Sequence, residues 1–597
     1  MAPQFAVGID LGTTNSVVAY VRLGDEKPAV ALLPIPQLVA PQTIEAKSTL
    51  PSFLYCGGPQ DPPGSLDVPW SQGRDFSVGE LARRQSADFP DRTVVAAKSW
   101  LGHSKVDRHQ AFLPLGSDEA EAAGSITKVS PVTASRRYLE HLVSAWKVAF
   151  PDALLADQIV VLTVPASFDA SARELTREAA FAAGLPDSLI LLEEPQAAVY
   201  AWLTSQGEKW RKQLKVGETL LVCDVGGGTT DLTIVQVNEE GGELVLQRMA
   251  VGNHLLVGGD NMDLALAFHV AELFREKGVN LDPWQSISLW HSCRQAKEAL
   301  FTPDGPKSHT ISIKGRGSKL IGGAVSVEVE RSALAKLLTD GFFPECAVDA
   351  HPEKRRQSGF QELGLPYETD TGITRHVAAF LATHAGGVAT GPTHLLLNGG
   401  VFKAQPLVER LKSVLTSWYP ETPVKLLSGE ADLDHAVARG GAYYGWAKQH
   451  GGVRIRGGTA RSYYVGIETA GLAVPGAPRP LRALCVVPFG MEEGTEVDVP
   501  SDAIGLIVGQ PAQFRFFSSS VRKEDRAGSR LTAWSSDDLA ETDSLETMLT
   551  SEESSEEHYV PVKFHSKITE LGVLELWCVS TRGEGKWKLE FSVRDDE

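Results

Sequence analysis

Two segments of this chain end an apolar run in aspartate and follow it with a glycine-rich turn and threonine. They are VGIDLGTTNSV at 7–17 and VCDVGGGTTDL at 222–232. Runs of Val, Leu and Ile without polar alternation suit strands buried on both faces. Glycine lets backbone N–H groups approach a phosphate without a Cβ in the way, and a threonine hydroxyl adds a donor. Either turn alone reads most simply as a tight hairpin. The matched pair favours a cleft in which both turns hold one phosphate chain.

The same strand pattern recurs at IVVLTVPASF (159–168) and HLLLNGGVF (394–402). Helical patterns lie between, at 135–150, 170–184, 261–278 and 405–419. Strands alternating with helices predict an α/β architecture. The span 34–75, rich in Pro, Gly and Ser, predicts a peripheral hairpin and loops, and 344–370 predicts a surface insertion. The character changes near residue 450. GGVRIRGGTAR (451–461) reads as a linker, and YYVGIE, LCVVPF, AQFRFFSS, YVPVKF, VLELWCVST and WKLEFSV follow as short strand candidates. This predicts a terminal all-β sandwich over 462–597, with the acidic stretch 535–557 as a solvated loop.

Composition narrows the function. A chain of 597 residues exceeds one hydrophobic core and fits roughly three to five domains. The formal charge of −18 opposes nucleic-acid binding. No apolar run approaches the roughly 20 residues of a membrane span, and MAPQFAVGID shows neither a basic leader nor a signal core, so a cytoplasmic protein is expected. The six cysteines are scattered without CxxC, which predicts reduced, buried thiols. No GxxxxGK[ST], HExxH or strand-preceded GxGxxG occurs, so the P-loop route to ATP is not used.

GIDLGTTNS (8–16), CDVGGGTTDLTIV (223–235), VLTVPASFDASARELTREAAFAAGL (161–185) and EEPQAAVYAWL (193–203) together resemble the seventy-kilodalton heat-shock chaperone family. The resemblance covers most of 5–447 and resumes at GIETAG (466–471). It implies an actin-like ATPase domain with two ribonuclease H-like halves over 1–450, followed by a peptide-binding β-sandwich. It also implies a chaperone that hydrolyses Mg·ATP to ADP, with unfolded or extended polypeptides and co-chaperones as partners. Carried over onto this sequence, Asp10 and Asp224 hold Mg2+ through water. Gly12, Thr13, Thr14 and Asn15, with Gly226, Gly227, Gly228 and Thr229, contact the phosphates. Lys98 is implied as the catalytic lysine, with Glu194, Asp231 and Thr229 around the attacking water and the metal. Gly258, Gly259, Lys297, Gly399, Gly400 and Asp434 border the adenosine, and Pro165 lies on the route that relays nucleotide state.

Three features depart from the family. Arg294 and Glu298 stand where it has an acidic and a basic residue beside adenine. The 451–461 segment is basic rather than acidic and leucine-rich. The residues after 450 suffice for a β-sandwich, so the family's helical lid is expected to be missing. Two other functions fit parts of the sequence. A regulator or nucleotide-exchange partner of another chaperone fits the altered linker, and a small-molecule kinase fits the doubled turn.

Overall fold

The computed structural model describes residues 2–103, 106–115, 121, 126–240, 243–313, 325–353, 365, 367–384, 391–427, 432–451, 455–456, 458–459, 461–469, 480–492, 494–507, 511–535, 538–542, 545–548, 559–569, 574–583 and 585–589. Its centre is a repeated pattern. In one six-stranded sheet, Phe5–Leu11 pairs parallel with Ile159–Val164 and antiparallel with Asn15–Arg22. In a second, Thr219–Val225 pairs parallel with His394–Asn398 and antiparallel with Thr230–Glu240. Each Asp-Gly-Thr turn therefore joins the central strand of its sheet to an antiparallel neighbour. Up to their aspartates the central strands are mostly apolar and almost wholly buried, as strands covered on both faces are.

Two helices, Glu194–Gln206 and Ala436–His450, pack together between the sheets. Val161, Leu192, Val199 and Tyr200 share one buried cluster with Leu220, Val222, Leu396, Val437 and Tyr444, so the halves are joined by a common core. The fit depends on missing side chains. A Cβ at Gly440 would lie 1.8 Å from the Ala197 carbonyl oxygen, and one at Gly8 would lie 2.1 Å from that of Ala438. The glycines of GID and ARGGAYYG thus let a helix lie directly on a strand and on a second helix.

The expected peripheral hairpin is Ile35–Ala40 with Thr43–Lys47. In the 344–370 span, 344–353, 365 and 367–370 form no helix or strand, and 354–364 and 366 lie outside the described residues. Five cysteines are buried, Cys346 is half-buried, and all six are free. No described helix is long and apolar enough to cross a membrane.

Among the described residues no helix follows His450. Ser462–Glu468, Leu481–Val487 and Phe516–Ser519 form one sheet with two short strands, and Tyr559–Ile568, Leu574–Ser580 and Lys586–Leu589 form another with Glu496–Asp498 and Ile504–Ile507. Tyr463, Leu484 and Phe516 of the first sheet share a buried cluster with Val562, Phe564 and Leu576 of the second. The acidic stretch is not wholly a loop. Ala540–Glu541 pairs with Phe517 and Ser518, and Leu545–Met548 pairs with Pro511–Phe514, because backbone pairing there does not require an apolar sequence. Residues 536–537, 543–544 and 549–557 of it lie outside the described set.

The segment read as a linker also takes part in a sheet. Ile455–Arg456 pairs parallel with Leu246 and Gln247, and the Ile455 amide donates to the Tyr200 hydroxyl at 2.7 Å. Nearby, the buried Glu193 carboxylate accepts from Arg173 at 2.8 Å and pairs with Arg248, which also donates to the Gly458 carbonyl. The two arginine charges outweigh the burial of Glu193 and hold its carboxyl below the usual range.

One stability prediction follows from the helix contact. Gly440→Ala puts a methyl group against the Ala197 carbonyl, so the two helices must separate. Overpacking of this kind costs about 1–3 kcal/mol, and a thermal melt of the variant should show a lower midpoint. An unchanged midpoint would mean that the helices can separate freely.

Candidate active site

The two turns face each other across the gap between the sheets. A Cβ on Gly227 would lie 1.9 Å from the Thr14 hydroxyl, and one on Gly228 would lie 3.1 Å from the Thr13 methyl. The first turn is held from behind by Ser52, whose amide donates to the Thr14 carbonyl (2.8 Å) and whose hydroxyl donates to that of Gly12 (2.7 Å). Asn15 begins the strand that leaves this turn, opposite Pro51. In the second turn the Gly226 amide donates to the Thr229 carbonyl at 2.9 Å. The helix Gly259–Glu276 starts against it, with the Gly259 amide on the Gly226 carbonyl (3.0 Å) and the Asp260 amide on that of Gly227 (2.7 Å).

Four carboxylates and one ammonium converge here. Asp10 and Asp224 end the two central strands, Asp231 lies opposite Asp224 in the register, and Glu194 opens its helix. Lys98, on the short helix Ala97–Leu101, pairs with Glu194. Burial alone would lower the Lys98 ammonium, but Glu194 and Asp10 outweigh it and raise it, so the lysine stays charged. Burial raises the Glu194 carboxyl, with Lys98 opposing and Asp231 reinforcing the shift. Burial also lifts Asp224 to about 8, reinforced by Glu194, although Asn398 donates to it at 2.7 Å. Asp10 is lifted to about 7, chiefly by burial and against the pull of Lys98. Asp231 goes the other way. Its burial is outweighed by His254 and by the Ser167 hydroxyl, which donates to it at 2.5 Å, and its carboxyl lies below the usual range.

The residues that the resemblance assigns to the adenosine gather at the same end of the second half. Gly258 stacks on the turn, and a Cβ there would lie 2.7 Å from the Gly226 and Gly227 carbonyl oxygens. Gly399 adopts φ +88°, which favours glycine, and a Cβ there would lie 2.2 Å from the Val225 carbonyl oxygen. Gly400 faces Asp434, which pairs with Lys403. Lys297 bonds the Gly259 carbonyl (3.0 Å) and the buried Asp263 (2.6 Å). Arg294 pairs with Asp260 and Asp263 at 2.5 and 2.8 Å. Its charge is thus taken up by aspartates of the neighbouring helix, while Glu298 is exposed.

Lys98, Glu194 and Asp231 lie with the two turns, Gly258, Gly259, Lys297 and Gly399 adjoin the second turn, and Asp434 faces Gly400; Pro165 lies two residues before Ser167. Sequence reasoning missed Ser52, Asn398, Ser167 and His254. Asn398 and Ser167 stand inside the quoted runs LLLNGG and TVPASF, but attention to glycine and proline passed over them. Ser52 and His254 carry no local signal, since their roles arise from contacts with distant segments.

Four acids beside one lysine leave an excess of negative charge, which adds to the burial that raises Asp10 and Asp224. Among the described residues no three side chains come together to chelate an ion directly. The donor set fits a hydrated divalent cation, which keeps several of its waters. It also yields a stability prediction for the ligand-free chain. A carboxyl whose folded pKa is raised destabilises the fold as pH climbs from its unfolded value, near 4, through the folded value. Stability of the ligand-free chain should therefore fall between about pH 4 and pH 8. Asp224→Asn should flatten that fall and raise the melting point at pH 7.5. A steeper slope in the variant would contradict this charge balance.

Residues 67–346 match a family model described as Hsp70 protein. Among curated proteins, the chain is 33% identical over 306 residues to a chaperone protein HscA homolog from Shewanella sp. (strain MR-4), covering 50% of this chain and 42% of that protein. It is 31% identical over 330 residues to the chaperone protein DnaK of Prochlorococcus marinus (strain MIT 9515), covering 51% and 46%. The chain thus spans less than half the length of these relatives.

Proposed function

Proceeding from the membership of residues 67–346 in the Hsp70 family, with its actin-like ATPase fold, we propose that this protein hydrolyses Mg·ATP to control its grip on extended polypeptide. The observation that carries the reading is the convergence of both Asp-Gly-Thr turns with Lys98, Glu194 and Asp231 in one cleft. Backbone amides and threonine hydroxyls of the turns bind the phosphates. Asp10 and Asp224 hold the waters of the magnesium ion, which when bound neutralises phosphate charge. The Lys98 ammonium, kept charged by Glu194, stabilises charge that develops on the γ-phosphate, and Glu194 and Asp231 orient the attacking water. Catalysis by positioning and electrostatics suits phosphoryl transfer, which asks for little covalent chemistry.

The division of labour is ours as well. Residues 1–450 form the ATPase domain, 451–461 the connection, and 462–597 a β-sandwich that takes an extended peptide by main-chain hydrogen bonds and apolar pockets. The shared core of the two terminal sheets supports the sandwich. Two contacts support communication. Ile455–Arg456 joins the ATPase sheet, and Ala170 packs against the terminal core.

Lys98→Ala provides the direct test. Calorimetry with Mg·ATP should show the variant binding nucleotide within about threefold of the parent, while single-turnover hydrolysis falls at least about a hundredfold, as for loss of a group acting mainly in the transition state. Equal hydrolysis rates would remove Lys98 from the mechanism. Binding without hydrolysis in the unsubstituted chain would favour the regulator reading. A second test monitors release of a labelled apolar peptide with and without ATP. A faster release with ATP is expected, and no binding across a peptide panel would overturn the polypeptide half of the proposal.

A further inference from the structure

A polar chain crosses the floor of the cleft from one half to the other. Ser167 follows the Ile159–Val164 strand of the first half, while Asp231 and His254 belong to the second. The Ser167 hydroxyl lies 2.5 Å from Asp231 Oδ1 and 2.7 Å from His254 Nδ1. An ionised carboxylate only accepts, so the serine proton points to Asp231 and the serine oxygen accepts from His254 Nδ1–H. His254 Nε2 is buried and has no hydrogen-bond partner among the described residues. A neutral ring protonated on Nδ1 leaves only a lone pair there, whereas any other form would bury an unpaired N–H.

The surroundings hold this chain in place. Ala166 and Val251, flanking it on the two halves, form a small buried contact of their own. The Phe168 ring meets the His254 ring edge-on with centroids 5.7 Å apart. Phe168 also lies against Gly102, which caps the helix that carries Lys98. The serine, the histidine and the lysine helix are therefore one packed unit around Asp231.

We propose that Ser167 and His254 form a clasp across the cleft that positions Asp231 for ATP hydrolysis and holds the two halves in register. The proposal rests on the ATPase reading above and adds to it two positioning residues outside the doubled turn. Neither touches the reacting atoms. They fix the orientation of Asp231, whose charge acts on Lys98 and Glu194.

Two measurements on the full chain test it. In the nucleotide-free protein, histidine-selective 15N labelling should show His254, assigned by its loss in His254→Asn, as a neutral ring protonated on Nδ1. Ser167→Ala should shift that signal. An Nε2-protonated ring, or one indifferent to Ser167→Ala, would overturn the clasp without reference to activity. In single-turnover hydrolysis of Mg·ATP, Ser167→Ala and His254→Leu should each slow the step about tenfold, with nucleotide affinity changed less than about threefold. The double variant should be little slower than either single one, because the residues act as a unit. His254→Asn, whose amide places a donor near the Nδ1 position, should recover most of the rate. Equal losses in His254→Asn and His254→Leu, or a loss confined to nucleotide affinity, would reduce the pair to a packing role and overturn the proposal. A clasped ring in an unsubstituted chain that does not hydrolyse ATP would instead overturn the ATPase reading, and the role in hydrolysis with it.

Discussion

The separation of the two sheets is set by a pair of helices that touch backbone to backbone. Gly440 meets the Ala197 carbonyl and Gly8 meets that of Ala438, so no side chain spaces these elements apart. A helix seated on a strand in this way cannot slide without losing the whole shared core. The facing turns inherit that distance. Thr14 reaches Gly227 and Thr13 reaches Gly228 because the scaffold below has one stable spacing.

That closeness has an electrostatic cost, which is concentrated between the facing turns. Asp10, Asp224 and Glu194 are held in a low-dielectric gap with Lys98 as the facing cation, and burial pushes all three carboxyls upward. Asp231 escapes because Ser167 and His254 donate to or face it. Like charges with different partners thus take different protonation behaviour within one site. A cation that enters such a site is attracted by strain already present in the fold, and functional sites commonly carry this kind of strain.

Much of this was legible in the sequence, and the limits have physical reasons. The doubled Asp-Gly-Thr turn pointed to a shared cleft because the apolar runs before Asp10 and Asp224 suit strands covered on both sides. The glycines of LLLNGG and VGG stand out in the sequence only through the family resemblance, and their close backbone approaches come from the fold. Ser52 and His254 were not readable, since a lone serine or histidine carries no period and no turn geometry. Arg294 was noted as a charge out of place, but only the folded chain shows Asp260 and Asp263 waiting for it. The charge of the acidic stretch predicts a loop. Pairing of Ala540–Glu541 and Leu545–Met548 depends on backbone groups, which composition does not report.

The short strand Ile455–Arg456 also bears on how the protein resists aggregation. Leu246 and Gln247 belong to the last long strand of the second sheet, and the pairing of Ile455 and Arg456 beside them covers part of an otherwise open edge. Open edges invite pairing with foreign strands and seed aggregation. The basic, glycine-flanked segment is a seal as well as a connection, and Arg248 fastens it through the Gly458 carbonyl. Whenever that seal lifts, the protein exposes unpaired backbone N–H and C=O groups along that strand.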